Sequence, residues 1–221
     1  MNFCSHTLVR NGQPFIGPVL EQIIPYANRC LITISQKSDD GTLETLTDLK
    51  ERYPSKIVLM TENVSEPKLL TLERQKQIDM TTEDWILFLD DDDYWFEEDI
   101  ESIMDKFDMD VDGFSFNPYQ VIDYQSHDHS WRYKYFLKWF KKQPGLNYRQ
   151  GWPRDLLFLQ DHLLYWRTNA RVPRQKERYL HLSYLKDYSF RSEDWASHFS
   201  LSTGQKAVIP VKYRLGLLNE K

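Results

Sequence analysis

Four consecutive aspartates, Asp90 to Asp93, are the residues whose type and spacing best suit chemistry. They follow an apolar run, residues 85–89, that is too short for an independent helix and suits a strand buried on both faces. Adjacent carboxylates raise one another's pKa, and a divalent cation relieves their repulsion. Ligands bind at the carboxyl ends of strands in open α/β sheets, so the run predicts a hard metal ion whose coordination an anionic substrate completes. The alternative is a solvated acidic loop in which Asp92 or Asp93 caps a helix that begins near Glu97.

The elements that must position these carboxylates follow an alternating pattern. Strand and helix signals alternate through residue 89, which predicts an α/β fold with a mostly parallel central sheet flanked by helices. The predicted strands lie at residues 7–12, 30–35, 56–60, 85–89, 113–117, 162–167, 179–183 and 207–211. The predicted helices lie at residues 15–24, 42–53, 69–80 and 97–107.

Residues 88–95, Phe-Leu-Asp-Asp-Asp-Asp-Tyr-Trp, resemble the metal-binding Asp-x-Asp segment of nucleotide-sugar glycosyltransferases with the GT-A fold, particularly the inverting family-2 type. The resemblance implies one GT-A-like (Rossmann-like) domain over 1–221, with a nucleotide-sugar-binding half at 1–117 and an acceptor-binding half at 118–221. It also implies Mn²⁺ or Mg²⁺ on Asp92, with Asp90 nearer the ribose or a metal-bound water and Asp93 as a candidate second ligand. The ion would bridge the diphosphate of a nucleotide sugar, most simply a UDP-sugar.

The same resemblance implies where the donor binds. In this family the end of the first strand, an Asp after the second strand and an Arg on the helix before Asp-x-Asp line the nucleotide, and an Arg contacts diphosphate bidentately. By position the donor-binding residues are Val9, Arg10, Asp39, Asp40, Arg74, Asp90, Asp91 and Arg214. The alternatives are that the turn aspartates only form a turn and that Arg74 is a surface helix residue.

Glu193 and Asp194 resemble the Glu-Asp motif that supplies the catalytic base in inverting GT-A enzymes. Asp194 would take the proton of the acceptor hydroxyl. An acidic helix N-terminus is the alternative, because Ser192 can cap a helix there. His181 and His198 are both candidates for a further metal ligand, and the sequence does not choose between them.

The charge is unevenly distributed along the chain. The net charge is −5, yet residues 129–178 carry 12 Lys and Arg against 3 Asp and Glu. Residues 131–142 fit a helix with lysines on one face and aromatics on another. The predicted acceptor-binding residues are Lys134, Lys138, Trp139, Lys141, Lys142, Arg149 and Arg171.

This basic segment predicts a polyanionic partner. Nucleic acid is favoured, such as a hydroxylated base in phage-type DNA that is flipped into the site. The alternatives are a lipid-linked or surface glycan approached at an anionic membrane, and a solvated lysine face over core aromatics. A non-enzymatic nucleic-acid-binding module, whose acidic loop only chelates Ca²⁺ or caps a helix, is the competing function.

Other features narrow the class. No glycine-rich dinucleotide fingerprint and no P-loop occur, which argues against a nicotinamide enzyme and a P-loop kinase. No apolar run reaches the length of a bilayer span and no signal peptide is recognisable, so we expect a cytoplasmic protein, in the host cytoplasm if phage-encoded. Cys4 and Cys30 lie beside predicted strands and are expected to be reduced and buried.

Overall fold

The structure, a computed structural model, describes residues 1–62, 67–123, 126–128, 135–149, 156–160, 162–164, 172–182 and 206–208. Its helices are α1 (Ile16–Ile23), α2 (Thr42–Arg52), α3 (Pro67–Met80) and α4 (Glu97–Met104). Its strands are β1 (Phe3–Val9), β2 (Arg29–Ser35), β3 (Ile57–Glu62), β4 (Trp85–Phe88), β5 (Asp93–Tyr94), β6 (Gly113–Phe116), β7 (Tyr119–Asp123), β8 (Ser126–Asp128), β9 (Phe136–Lys141), β10 (Leu146–Arg149), β11 (Leu156–Leu159), β12 (His162–Leu163), β13 (Leu180–His181) and β14 (Lys206–Val208).

A six-stranded sheet in the order β3-β2-β1-β4-β9-β6 organises the fold. The first four strands in this order are parallel, and β9 runs antiparallel to both of its neighbours. The strand order reverses between β1 and β4, which are adjacent although two strands and three helices separate them in the chain. In open α/β sheets such a switch point opens a crevice at the carboxyl ends of the strands, where ligands bind. The four aspartates follow β4 at this crevice.

Apolar side chains cover both faces of the sheet. One core cluster joins Phe3 and Trp139 of the sheet to the buried faces of α1, α2 and α4. A second cluster joins Ile86 and Phe140 to Ile78 of α3 and to the antiparallel meander β10-β11-β12. The sheet is therefore a middle layer, and polar groups gather where its strands end.

The helices form for the local reasons that the sequence predicts. In α1 the buried residues Ile16, Val19, Leu20 and Ile23 follow helical spacing and form one apolar face. In α4 the first turn carries Glu97, Glu98 and Asp99, whose charges suit the positive end of the helix dipole. The N-cap position of α4 is Phe96. Asp92 and Asp93 therefore do not cap this helix, and the capping alternative is wrong.

The prediction of a helix over residues 131–142 is wrong for the part that the structure describes. Residues 136–141 form strand β9, which pairs with β4 on one side and β6 on the other. Aromatic residues favour a strand between two neighbours, and the lysine spacing that fits a helix also fits a strand with Lys138 and Trp139 on opposite faces. Lysines and aromatics consequently do not form the two faces of one surface helix.

The other predicted elements agree with the structure to within a few residues where it describes them. The four helices begin within about two residues of their predicted starts, and the predicted strands appear as β1, β2, β3, β4, β6, β12, β13 and β14. Cys4 and Cys30 are free and buried, which confirms the expectation of two reduced thiols.

Candidate donor and metal site

The aspartates leave β4 through a tight turn at the switch point. The amide of Leu89 donates a hydrogen bond of 3.0 Å to the carbonyl of His6 in β1, so hydrogen bonding to β1 continues to the residue before the first aspartate. The amide of Asp93 then donates to the carbonyl of Asp90 at 3.1 Å, which closes the turn. Asp93 is completely buried, whereas a third of the Asp90 side chain is exposed. The run is thus a folded turn with inward-facing carboxylates rather than a solvated loop.

Strand β13 brings a histidine to these carboxylates from far along the chain. It pairs antiparallel with β5 so that His181 lies opposite Asp93. The amide of Leu182 donates to the carbonyl of Asp92 at 2.8 Å and fixes the register. Nδ1 of His181 lies 2.8 Å from Oδ1 of Asp93 and 3.4 Å from Oδ1 of Asp92.

Asp92, Asp93 and His181 fit a divalent metal ion. One ligand atom from each of the three residues lies within 4.8 Å of the others. Two carboxylates and an imidazole are ligands that Mn²⁺ accepts, and carboxylates also suit Mg²⁺. The Asp92 and His181 side chains are 10% and 20% exposed, so the group is enclosed yet reachable from the crevice.

The charged side chains in this turn shift one another's pKa values. Burial lowers the pKa of His181, but Asp92 and Asp93 outweigh it and raise this pKa to about 9. Burial raises the pKa of Asp90, yet Lys138 and Arg74 outweigh it and lower the pKa to about 2. Burial also raises the pKa of Asp93, and the neighbouring charge of Asp90 adds to this effect. Titratable groups with shifted pKa values that converge in a crevice indicate a candidate functional site.

Lys138 of β9 supplies a buried positive charge in the same place. Its Nζ donates to Oδ2 of Asp90 at 2.7 Å and to Oδ2 of Asp93 at 2.5 Å. The side chain is 6% exposed, and the ammonium also lies 4.9 Å from the centroid of the Phe88 ring and 5.3 Å from that of Tyr179. Lys138 therefore belongs to the aspartate turn, and its predicted position on an acceptor-binding surface is wrong.

Arg74 reaches the turn from α3, the helix that precedes the four aspartates in the chain. Its guanidinium carbon lies 3.7 Å from the centroid of the Phe88 ring, and Nη2 lies 3.6 Å from Oδ1 of Asp90. The side chain is only 10% exposed, so the alternative of a surface helix residue is wrong. A guanidinium held at this position can contact an anion that enters the crevice.

The loops after β1 and β2 form the other wall of the crevice. Asn11 and Asp39 bond reciprocally: the Asn11 side-chain amide donates to Oδ1 of Asp39 at 3.0 Å, and the Asp39 amide donates to Oδ1 of Asn11 at 3.1 Å. Asp40 accepts from the Gln13 amide at 2.9 Å and from the amide and hydroxyl of Thr42. Asp40 thus ties the two loops together, and Asp39 is the more exposed of the two aspartates.

The remaining predicted residues divide into three groups. Val9 is buried and Arg10 is exposed at the end of β1, beside the same crevice. Arg149 is exposed, and its guanidinium carbon lies 4.8 Å from the centroid of the Phe158 ring. Glu193, Asp194, Arg214, His198, Lys134 and Arg171 lie outside the described residues.

The described residues of the basic segment do not form one acceptor surface. Trp139 is completely buried and packs on Phe3 at 4.7 Å between ring centroids, so it offers no face to an acceptor. Lys141 pairs with Trp85 at the beginning of β4, which is the end of the sheet away from the aspartates. Its ammonium donates to the carbonyl of Met109, and that of Lys142 donates to the carbonyl of Ile78. The acceptor roles predicted for Trp139, Lys141 and Lys142 are therefore corrected, because these side chains hold the fold together.

Two residues of the site, Lys138 and Asn11, differ from the sequence prediction. The helical pattern puts Lys138 on a surface, but a lysine flanked by Phe, Leu, Trp and Phe also indicates a strand lysine with a buried charge partner. Asn11 is absent from the predicted donor set, although it lies at the end of the predicted first strand, where it can line a crevice. Its φ of 53° is uncommon for a residue other than glycine, although asparagine tolerates it better than most residues do.

No helix in the described part of the chain combines the length and the apolarity that a bilayer crossing requires.

Several solved structures are similar to the chain. Residues 1–349 of S. aureus TarS are 19% identical with a TM-score of 0.43, over 56% of this chain and 37% of that chain. The mannosyltransferase PcManGT from Pyrobaculum calidifontis, in complex with GDP-Man and Mn²⁺, is 16% identical with a TM-score of 0.45, over 54% of this chain and 36% of that chain. The chain therefore spans well under half the length of these two proteins. No curated protein sequence matches the chain.

A family match covers most of the sequence. Residues 9–172 match glycosyl transferase family 2. The matched range includes the loops after β1 and β2, helix α3, the four aspartates and strand β9. The mixed α/β architecture, with its mostly parallel six-stranded sheet, is that of the Rossmann-like GT-A fold. The chain belongs to glycosyl transferase family 2.

Proposed function

We propose that this chain is a metal-dependent glycosyltransferase that moves a sugar from a nucleotide-sugar donor to an acceptor hydroxyl. The observation that carries the proposal is the convergence of Asp92, Asp93 and His181 at the switch point of the sheet, with Arg74 beside them. A bound Mn²⁺ or Mg²⁺ would act as a Lewis acid on the diphosphate and favour its departure.

The side chains around the crevice would each bind a different part of the donor. Asp92 and His181 would hold the metal ion, with Asp93 behind them as orienting partner or second ligand. Arg74 would bind the diphosphate and stabilise its charge as the glycosidic bond breaks. Asp39, held by Asn11, presents a carboxylate that can accept a hydrogen bond from the base or the ribose. Asp90, Asp91 and Arg214 complete the donor set that the family resemblance implies.

Inversion at the anomeric carbon requires a base on the acceptor side of the sugar. We assign this role to Asp194, with Glu193 beside it, on the resemblance of these residues to the family motif. The acceptor hydroxyl loses its proton as the new bond forms, so the position of the carboxylate matters more than its pKa. Asp194→Asn should therefore abolish transfer and leave nucleotide binding unchanged.

For the acceptor we keep nucleic acid with a hydroxylated base as the first class to test, and a lipid-linked or surface glycan as the second. The support is the excess of Lys and Arg in residues 129–178, with Arg149 exposed at the edge of the meander. Four members of the predicted surface, Lys138, Trp139, Lys141 and Lys142, make contacts within the fold instead, so fewer residues support a polyanionic acceptor than the sequence suggests.

The proposal is tested by thermal unfolding with a panel of nucleoside diphosphates and nucleotide sugars, in Mn²⁺ and in chelator. A ligand that binds the native state raises the melting temperature by mass action. We expect a metal-dependent increase with one nucleotide that disappears in Asp92→Ala and persists in Asp48→Ala, whose carboxylate is exposed on α2.

Hydrolysis of the selected nucleotide sugar should show the same dependence on metal and on Asp92. If no nucleotide raises the melting temperature while DNA does, the donor site is refuted and a nucleic-acid-binding module takes its place.

A further inference from the structure

Lys138 occupies the position of a cation among the carboxylates of the turn. Its ammonium bridges Oδ2 of Asp90 and Oδ2 of Asp93 at 2.7 and 2.5 Å, and the rings of Phe88 and Tyr179 flank it. The neighbouring strands also fix it, because β9 is paired on both sides. The side chain is 6% exposed, and the ammonium can leave the turn only if it gives up its hydrogen bonds to both aspartates.

Asp93 connects this lysine to the candidate metal ligands. One carboxylate oxygen of Asp93 accepts from Lys138, and the other lies 2.8 Å from Nδ1 of His181. The ammonium withdraws one oxygen of Asp93 from metal coordination, and its charge repels a divalent ion that approaches the other oxygen. Lys138 and a metal ion therefore compete for the same carboxylate.

We propose that Lys138 is a resident cation that keeps the affinity of this site for a free divalent ion low, so that metal binds tightly only together with the donor diphosphate. The proposal rests on the proposed function, because it concerns the same metal site. The diphosphate supplies the anionic oxygens that the lysine withholds, and Arg74 at 3.6 Å from Asp90 lies beside the place where they would enter. Lys138 is thus a positioning residue that acts through Asp93.

The experiment is a titration with Mn²⁺ alone and with Mn²⁺ plus UDP or GDP, with free Mn²⁺ followed by electron paramagnetic resonance. Lys138→Met removes the charge, and Lys138→Arg keeps it. Lys141→Met is the matched control, since it removes the same charge from the same strand at the opposite end of the sheet. Asp90→Asn, alone and combined with Lys138→Met, repeats the comparison between lysine and methionine in a turn that carries one negative charge fewer.

We expect the wild type to bind Mn²⁺ at least tenfold more tightly with nucleotide than without it. Lys138→Met should bind Mn²⁺ alone at least tenfold more tightly than the wild type, with a smaller gain from nucleotide. Lys138→Arg and Lys141→Met should stay within about threefold of the wild type.

A folded Lys138→Met that binds Mn²⁺ no more tightly than the wild type overturns the inference. If circular dichroism shows that this variant does not fold, Asp90→Asn with and without Lys138→Met decides by the same criterion. If no variant binds Mn²⁺, with or without nucleotide, the proposed function itself fails. If the wild type binds Mn²⁺ and Lys138→Met binds it no more tightly, the inference about Lys138 fails and the proposed function stands.

Discussion

Gly12 and Asp91 approach each other across the switch point with no room for a side chain between them. A β carbon at Gly12 would lie 3.0 Å from Oδ2 of Asp91 and 2.7 Å from Cγ2 of Val9. The amide of Gly12 meanwhile donates to Oγ1 of Thr42 at 2.8 Å, which anchors the loop to α2. The loop after β1 and the aspartate turn after β4 are therefore in direct contact, and the loop limits the space that is open to the Asp91 side chain.

Gly12→Ala should disturb this contact. The added methyl group must displace Val9 or Asp91, and overpacking of this kind costs about 1–3 kcal/mol of unfolding free energy. We expect a loss in this range in urea denaturation, together with weaker nucleotide binding. Gly17→Ala in helix α1 is the control: its methyl would meet Cγ2 of Thr45 in helix α2 at 3.2 Å and should change stability by less than about 1 kcal/mol. Equal losses in both variants would contradict the expectation.

The choice between the two candidate histidines is a second prediction. His181 lies opposite Asp93 through the pairing of β13 with β5, whereas His198 lies outside the described residues. His181→Ala should weaken Mn²⁺ binding in the presence of nucleotide by about tenfold or more, since loss of even an outer partner of a metal site has that effect. The measurement is a Mn²⁺ titration of His181→Ala and His198→Ala in parallel. A loss seen only in His198→Ala would assign the ligand to that residue instead.

His6 should make stability depend on pH. It is buried and bonds to Oγ1 of Thr81 at 2.6 Å, and burial together with the charges of Arg74 and Lys142 lowers its pKa from 6.5 to about 3. The folded chain therefore leaves His6 neutral between these values, while the unfolded chain protonates it. Its contribution to stability is complete above pH 6.5 and falls as the pH drops toward 3, by up to about 1.4 kcal/mol per pH unit.

The measurement for His6 is urea denaturation at pH 7.5 and at pH 5 of the wild type and of His6→Gln, which keeps a polar group near Thr81. Between pH 7.5 and pH 5 the unfolding free energy should fall by about 2 kcal/mol more in the wild type than in His6→Gln. An equal fall in the unfolding free energy of the two proteins would show that His6 does not cause the pH dependence.

A bidentate ion pair holds the other end of the sheet. Nε and Nη2 of Arg29 donate to the two oxygens of Glu83 at 2.6 and 2.8 Å, and Nη2 also donates to the carbonyl of Met80. Glu83 is 6% exposed, so Glu83→Gln should lower the unfolding free energy by about 1.5–3 kcal/mol, the range for hydrogen bonds to charged groups.

The exposed pair of Arg52 and Glu21, at 2.7 Å, is the comparison for this prediction. Glu21→Gln should leave the urea denaturation curve unchanged, because solvent and side-chain entropy cancel most of the benefit of an exposed pair. Similar effects of the two substitutions would show that burial does not govern these pairs.

The sequence predicts the alternating part of the fold because each of its elements has its own local periodicity. The buried run before Asp90, the helical spacing in α1 and the position of Arg74 are all readable within short windows. Lys138 and His181 are not readable in this way. Aromatic and basic residues in 136–141 satisfy both a helical and a strand pattern, and only pairing with β4 and β6 decides between them. The role of His181 depends on a two-residue strand that meets Asp93 from 88 positions away.

The antiparallel insertion of β9 between β4 and β6 has a consequence for the order in which the chain assembles during synthesis. When the ribosome has released the four parallel strands, β4 is still an open edge with unpaired backbone groups, and the acidic turn behind it lacks its ammonium. Such edges recruit other chains until they are covered. Closure of the edge and neutralisation of the turn happen in one event, when β9 docks, and a nascent chain that stalls before residue 136 should be a target for chaperones.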